Sequence, residues 1–441
     1  MSRTLYRNGH VLSPEHPDAT ALVVEDRMVA WLGTDGPDGD GCDDVVDLDG
    51  ALVTPAFVDA HVHATSTGLA LTGLDLTGCT SLGECLARLE AFARLRRGGV
   101  VLGHGWDETG WPERRAPTRQ ELDRASYGGV VYLSRVDVHS AAVSSALLAA
   151  APEARGAYGF ADTGHVTTEA HHLVRRVARE SVSPGQRREA QRTTRRHAAA
   201  AGIGCFHELG GPDISSAEDF RGVLALAAEE PGPDVVGYWG ELGAVDTVRQ
   251  LGARGAAGDL FADGAIGSHT AHLRRPYADA DHTGHGYLTA AQVRDHVVAC
   301  TEAGLQAGFH AIGDGALEAV VAGLTEAAGT LGVAAVRAAR HRLEHAEMVW
   351  PGAIEVLAKL GVVASVQPAF DRLWGGTEGM YAERLGAERA VTLNPFAALA
   401  AAGVVLAFGS DTPVTPLDPW GTVRAATRHH VAAQRMSVPA A

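Results

Sequence analysis

The feature that most restricts the fold is a theme repeated along the chain: a short apolar run closes on a polar or metal-capable residue, and a helix follows. Leu305-Gln306-Ala307-Gly308-Phe309-His310 leads into a predicted helix from Asp314 to about Ala328. His341-Arg342-Leu343-Glu344-His345 leads into one near 351–360, and the run 362–367, ending on Gln367, into one near 394–402. The run from Val404 to Asp411 closes the set. Upstream, 186–201 reads as a helix after Ser183-Pro184-Gly185, and the strand behind it carries His207 and Glu208. The apolar run 51–58 ends in Asp59-Ala60-His61-Val62-His63. Strands alternating with helices over this length mean a parallel sheet. An open doubly wound sheet would spread the polar strand ends along an edge, and no Gly-rich dinucleotide fingerprint supports one. A closed (β/α)8 barrel gathers them at one mouth.

A chain of 441 residues accommodates one large barrel, predicted over 55–441, and a small β-rich domain over 1–54. In the latter, 22–24 and 28–32 read as strands around the turn Glu25-Asp26-Arg27, and 36–41 as a loop. Two further buried-strand candidates lie at 100–103 and 130–134. A net charge of −16 disfavours nucleic acid and anionic membrane surfaces as the main partner and says little about substrate; the partner expected is a small-molecule substrate. Five scattered cysteines, none in a C-x-x-C pair, read as reduced thiols. No apolar run reaches the length of a membrane span and the first residues resemble no secretory signal, so a cytoplasmic location is expected. A homodimer is the default assembly.

In a strand, residues two apart share a face, so His61 and His63 present two imidazoles together, half of a divalent-metal site or else a polar strand end. His310 and His345 end strands one unit apart. Asp411 ends the last strand, where a carboxylate either ligates a metal and takes a proton from water or caps the turn before Thr412-Pro413. His61, His63, His207, His310, His345, Gln367 and Asp411 are therefore expected at one mouth. Substrate selection is expected from the segment between the first and third strands, with Trp106, Trp111, Asp137 and His139 as candidates. Trp111 with Phe370 and Trp374 either walls an apolar pocket or packs as a lid.

Ala-Phe-Val-Asp-Ala-His-Val-His at 56–63, His-Ala-Ile-Gly-Asp at 310–314, Arg-Leu-Glu-His-Ala-Glu at 342–347 and Gly-Ser-Asp-Thr-Pro-Val at 409–414 resemble motifs of the metal-dependent amidohydrolase superfamily. The resemblance extends, in order, through Gly105-Trp106-Asp107-Glu108, 135–139, 263–268 and 365–368, and is nearest the amidohydrolase-3 branch that includes N-substituted formamide deformylases. It implies an α/β fold, a distorted (β/α)8 TIM barrel with a small β-sandwich. It also implies hydrolysis of an amide or formamide-like C–N bond by metal-activated water. By motif, the implied metal ligands are His61, His63, His310, His345 and Asp411, with zinc as the ion. Asp411 is the implied base, His345 or His139 the oxyanion stabiliser, and Gln367 a substrate contact. A deaminase or cyclic-amide hydrolase is the alternative on the same scaffold; Asp314 stands near the place where deaminases carry a Glu.

Three departures shape the expectation. Asp259 stands where the branch carries a lysine, and the single lysine, Lys359, falls on a predicted helix. One zinc is therefore expected, with Asp259 or Glu208 as the alternative bridge to a second. His269 stands where the branch commonly has Arg. The sequence stops soon after Thr427-Arg428-His429-His430, so either the small sandwich is reduced, with an exposed edge or a neighbouring subunit against it, or the natural product is longer than this sequence.

Overall fold

The computed structural model describes residues 2–34, 41–95 and 100–441; residues 36–40 of the predicted loop lie outside them. Contacts divide the chain into two units, Met1–Phe57 and Val58–Ala441. In the first, a four-stranded sheet runs in the order Met28–Gly33, Ala21–Glu25, Arg3–Arg7, Asp44–Asp47, and a second pair joins His10–Val11 to Leu52–Val53. Asp26 (φ 47°) and Arg27 (φ 71°) make a two-residue turn with both residues left-handed, the geometry whose twist matches a hairpin. Leu5, Ala21 and Val23 form its core with Trp31 and Cys42 against them. The edge strand Asp44–Asp47 is exposed along its whole length.

The second unit is built on eight strands: β1 (Phe57–Val62), β2 (Ile203–Gly210), β3 (Asp234–Trp239), β4 (Gly255–Ala256), β5 (Gln306–Ala311), β6 (Arg342–His345), β7 (Val363–Val366) and β8 (Val405–Phe408). They pair in sequence order, all parallel where β2 to β8 are joined. A parallel bridge from Val62 to Thr412 brings the two ends of the sheet together. There the Asp411 N–H donates to the His61 carbonyl (2.8 Å) and the His63 N–H to the Thr412 carbonyl (3.1 Å). Strand alternation decides what enters the barrel: Phe309 and Leu343 join the apolar core, while their neighbours His310 and Glu344 pair with each other across β5 and β6.

The distortion sits at β4. It meets β3 through one residue pair and β5 through two. The chain then turns at Gly258 (φ 93°), where a side chain would meet Leu209 at 2.9 Å, and resumes main-chain bonding to His310 through Leu260 and Ala262. Asp259 lies in the break.

The strands expected near 100 and 130 do not belong to the barrel. Val100–Trp106 and Val130–Arg135 pair with each other in a five-stranded sheet inserted between β1 and β2, with Leu74–Asp75, Ser140–Val143 and His165–Thr167. Their apolar sides build two cores of their own, one around Trp106, Trp111, Val131 and Leu133, the other around Tyr132, Val143 and Val166. A buried strand reads the same in sequence whichever sheet receives it. Two helices border the site: α1 (Ala64–Thr72) directly follows β1, and α2 (Thr168–Glu180) ends the insertion. The helices expected near 186, 314, 351 and 394 are Pro184–Ala200, Asp314–Leu331, Pro351–Leu360 and the short Phe396–Ala401. The first opens on a capping box of Ser183 and Gln186, with Pro184 in its first turn. Among the described residues no single helix is long and apolar enough to cross a membrane.

Candidate metal centre

The structure brings His61, His63, His310, His345 and Asp411 together at the barrel mouth and adds Asp259 in their midst; all six are buried. Asp411 Oδ1 lies 3.3 Å from both His61 Nε2 and His63 Nε2. Asp259 Oδ2 lies 3.1 Å from His63 Nε2, and its Oδ1 lies 3.5 Å from His61 Nε2, 3.5 Å from His310 Nδ1 and 3.9 Å from His345 Nε2. Two ligands held at about 2.0–2.1 Å around a tetrahedral ion are separated by about 3.3 Å, so most of these distances are those of atoms sharing one cation. Three triads keep their ligand atoms within 4.8 Å of one another: His61, His63 and Asp259; His61, His345 and Asp411; and Asp259, His310 and His345.

Each imidazole is aimed by an acceptor behind it. His61 Nδ1–H donates to Glu344 Oε2 (3.1 Å) and His63 Nδ1–H to the Leu209 carbonyl (3.0 Å). His310 Nε2–H donates to the Gly264 carbonyl (3.2 Å) and His345 Nδ1–H to Gln367 Oε1 (2.8 Å). Each ring therefore turns its other, unprotonated nitrogen toward Asp259 and Asp411. His61 Nε2, His310 Nδ1 and Asp259 Oδ1 are buried and find no hydrogen-bond partner. Buried polar atoms without partners are costly, and three of them converging with imidazole and carboxylate chemistry fit a divalent cation.

The charge distribution points the same way. Burial alone would depress the His63 pKa, but the hydrogen bonds and charges of Asp259 and Asp411 push it up to about 9 when no cation faces them, so they draw a proton onto the nitrogen that an ion would otherwise take. Burial would raise the pKa of Asp259, yet His61, His310 and His345 hold it well below the usual carboxylate range. The pocket is built for positive charge opposite two carboxylates.

Backbone geometry supplies a device that strand patterning hides. Leu343 faces the core, so simple alternation would send His345 the same way. His345 (φ 69°) and Ala346 (φ 49°) are left-handed, and this turn swings the imidazole inward. Asp411 (φ 54°) is left-handed too. Non-glycine residues adopt that conformation at a cost of order 1–3 kcal/mol, and such strain collects where surroundings over-determine a functional geometry.

Several expected site residues lie elsewhere. Trp106 is fully buried in the inserted sheet with its indole N–H on the Leu133 carbonyl, so it does not line the cleft; Trp111 likewise donates to the Cys79 carbonyl. Asp137 is occupied by Arg135 (2.8 Å) and Ser268 (2.8 Å), and it accepts the His139 N–H, so it fastens the turn beneath His139. Gln367 orients His345 through its carboxamide oxygen. His207 accepts from Arg342 (2.8 Å), which also binds Glu344 and the Ala60 carbonyl, placing it below the mouth. Glu208 accepts the Ala64 N–H at the start of α1 and does not join the triads, whereas Asp259 joins two of them. His269 pairs with Asp279 (2.9 Å), and Asp314 with Arg274 (3.1 Å).

His139 is in place: its ring lies 5.0 Å from that of His310 and 5.5 Å from that of Phe261, and burial with the neighbouring His310 holds its pKa well below the ordinary value, so it is neutral at pH 7. Phe370 stacks on His345 at 6.0 Å, with Trp374 behind it. The cluster opens into a cleft walled by Leu69, Leu102, Tyr132, His139, Ile214 and Phe261 among others. Glu344 was missed as a site residue. Its signal was its place two residues after Arg342 in a strand, which puts both on one face.

A sequence profile of the Amidohydrolase family matches residues 44–439. The chain is 28% identical over 467 aligned residues to Protein LONG AFTER FAR-RED 3 of Arabidopsis thaliana, covering 96% of this chain and 77% of that one. It is 29% identical over 442 residues to putative amidohydrolase YtcJ of Bacillus subtilis (strain 168), covering 92% and 79%. Among solved structures, an uncharacterized metal-dependent hydrolase from Pyrococcus furiosus superposes with a TM-score of 0.73 at 25% identity, covering 99% of this chain and 91% of that one.

Proposed function

Because the chain belongs to the amidohydrolase family, we propose that it hydrolyses an amide or formamide-like C–N bond of a small molecule, and that, in place of the single zinc expected from the sequence, it would take two divalent cations, zinc by preference, with Asp259 serving both. The observation that carries this reading is the Asp259 carboxylate, one oxygen toward His63 and the other toward His61, His310 and His345. His61, His63 and Asp411, which lie together at 3.3 Å, would hold one ion; His310 and His345, grouped with Asp259, would hold the other. Bound there, the cations would lower the pKa of water and polarise the carbonyl oxygen.

The chain's own groups supply the rest. Asp411, 3.3 Å from two of the imidazoles, accepts the proton of the attacking water at its carboxylate and returns it to the leaving nitrogen. His139, held neutral, presents an imidazole N–H to the developing oxyanion. Phe261 and Phe370 shield the rings of His310 and His345 from solvent. Five free cysteines suit the cytoplasm. The test is metal quantification followed by a panel of N-formyl, N-acyl and cyclic amides. Release of amine plus acid supports the reading; ammonia release from an amidine ring, or no turnover by fully loaded protein across the panel, rejects it.

A further inference from the structure

The cleft that opens from the cluster has a second charged end. Arg175 and Arg179 of α2 line it together with His63, His310 and Asp411. They are four residues apart, so they share one face of the helix, where like charges repel. Arg175 is 95% buried, being 5% exposed. Among the described residues its Nε has no hydrogen-bond partner, and its guanidinium makes one bond, from NH2 to the Asp213 main-chain carbonyl. Arg179 is half-buried and bonds only the neutral Ser66 hydroxyl (3.0 Å). Among the described residues neither guanidinium has a carboxylate partner, although other buried arginines do: Arg135 holds Asp107, Glu108 and Asp137, and Arg342 holds Glu344.

The nearby acids are engaged elsewhere. Asp213 faces His172, Asp219 accepts from Thr65 and Gln191, and Glu208 accepts the Ala64 N–H. Asp259 and Asp411 are committed to the imidazole cluster. Burial of unpaired charge is expensive, and burial together with Arg175 already pushes the Arg179 pKa down to about 10. Leu69, Leu102, Ala178 and Ile214 line the same cleft as both ends.

Resting on the hydrolase reading, we infer that the substrate is an amide bearing a carboxylate, with its scissile bond at the histidine cluster, an apolar body along the cleft and its carboxylate on Arg175 and Arg179. Five N–H donors per guanidinium, almost all unused, suit two carboxylate oxygens.

The experiment uses the full-length protein as purified and two readouts. The first is binding of 4-methylpentanoate against 4-methylpentanamide by calorimetry, for wild type, Arg175→Met and Arg179→Met, with circular dichroism and metal content checked for each. Binding of the carboxylate alone, weakened at least tenfold in a folded variant, is the expected result. The second is the ratio of kcat/KM for N-formyl- and N-acetyl-leucine, in both configurations, to that for their methyl esters. The ratio is expected to exceed ten in wild type and to fall toward one in the variants. If Arg175→Met does not fold, the half-buried Arg179 carries the test. Arginine-dependent carboxylate binding without turnover of any amide would reject the hydrolase reading and leave the anion site standing. Equal binding of acid and amide, tighter binding of inorganic phosphate than of the carboxylate, or folded variants that bind as wild type would overturn the inference.

Discussion

Replacing Asp259 by Asn keeps the side chain's volume and removes its charge. In the native site this carboxylate reaches both halves of the cluster, at 3.1 Å from His63 on one oxygen and 3.5 Å from both His61 and His310 on the other. Asp411 is the other anion, and its close contacts, 3.3 Å each, are with His61 and His63. The variant therefore leaves two imidazoles and a carboxylate for one cation but only the His310 and His345 imidazoles for the second. Losing a group that merely orients a ligand typically costs 10–100-fold in metal affinity or activity. Losing a direct, charged and shared ligand exceeds that. We expect the second half to weaken by at least about 10³-fold, or about 4 kcal/mol, and turnover by at least about 10²-fold. The assay is emission spectrometry on zinc-loaded, desalted protein, with circular dichroism to verify folding and kinetics on the best substrate of the panel. Wild type should carry two ions per chain and the variant one. A folded variant that keeps two ions and turns over within tenfold of wild type would refute the shared-carboxylate argument, as would wild type that never exceeds one.

Asp411→Asn should abolish turnover while leaving much of the metal bound; near-normal activity would remove Asp411 as the base. Gln367→Leu deletes the acceptor that fixes His345 at 2.8 Å, and a 10–100-fold loss of activity or metal affinity is expected by titration and kinetics. His341 is a stability prediction away from the metal. It is buried, its Nδ1 accepts the Ala307 N–H (2.9 Å), and burial followed by the neighbouring His296 lowers its pKa to about 4. The unfolded chain, with a pKa near 6.5, binds the proton more readily. The His341 contribution is therefore complete above that value and is lost as pH falls toward about 4, reaching about 2–3 kcal/mol by pH 4.5. Denaturant midpoints at pH 7.5 and 4.5 should fall further for wild type than for His341→Gln; equal falls would contradict the assignment.

The ligands were legible because each stands at a strand end, and a parallel barrel has only one place to gather strand ends. His61 and His63 needed nothing beyond the period of two, and His310 nothing beyond its apolar strand. Gln367 was found as a strand end, but its contact with His345 was not, since pairing β6 with β7 is what sets its oxygen against that ring. Trp106 was misplaced for a related reason: a strand–turn pattern does not say that its strands leave the barrel and form a sheet with cores of their own.

Residue chemistry and element order were therefore properties of the sequence: four imidazoles, a terminal carboxylate, and alternating strands and helices that wind into a parallel ring. Three matters were decided only in the folded chain. The Gly258 break set Asp259 among the imidazoles, the left-handed backbone at His345 turned its ring inward, and the packing of α2 buried Arg175 and half-buried Arg179 without a carboxylate partner among the described residues. All three depend on contacts between residues dozens to hundreds of positions apart, and local periodicity carries no record of such contacts.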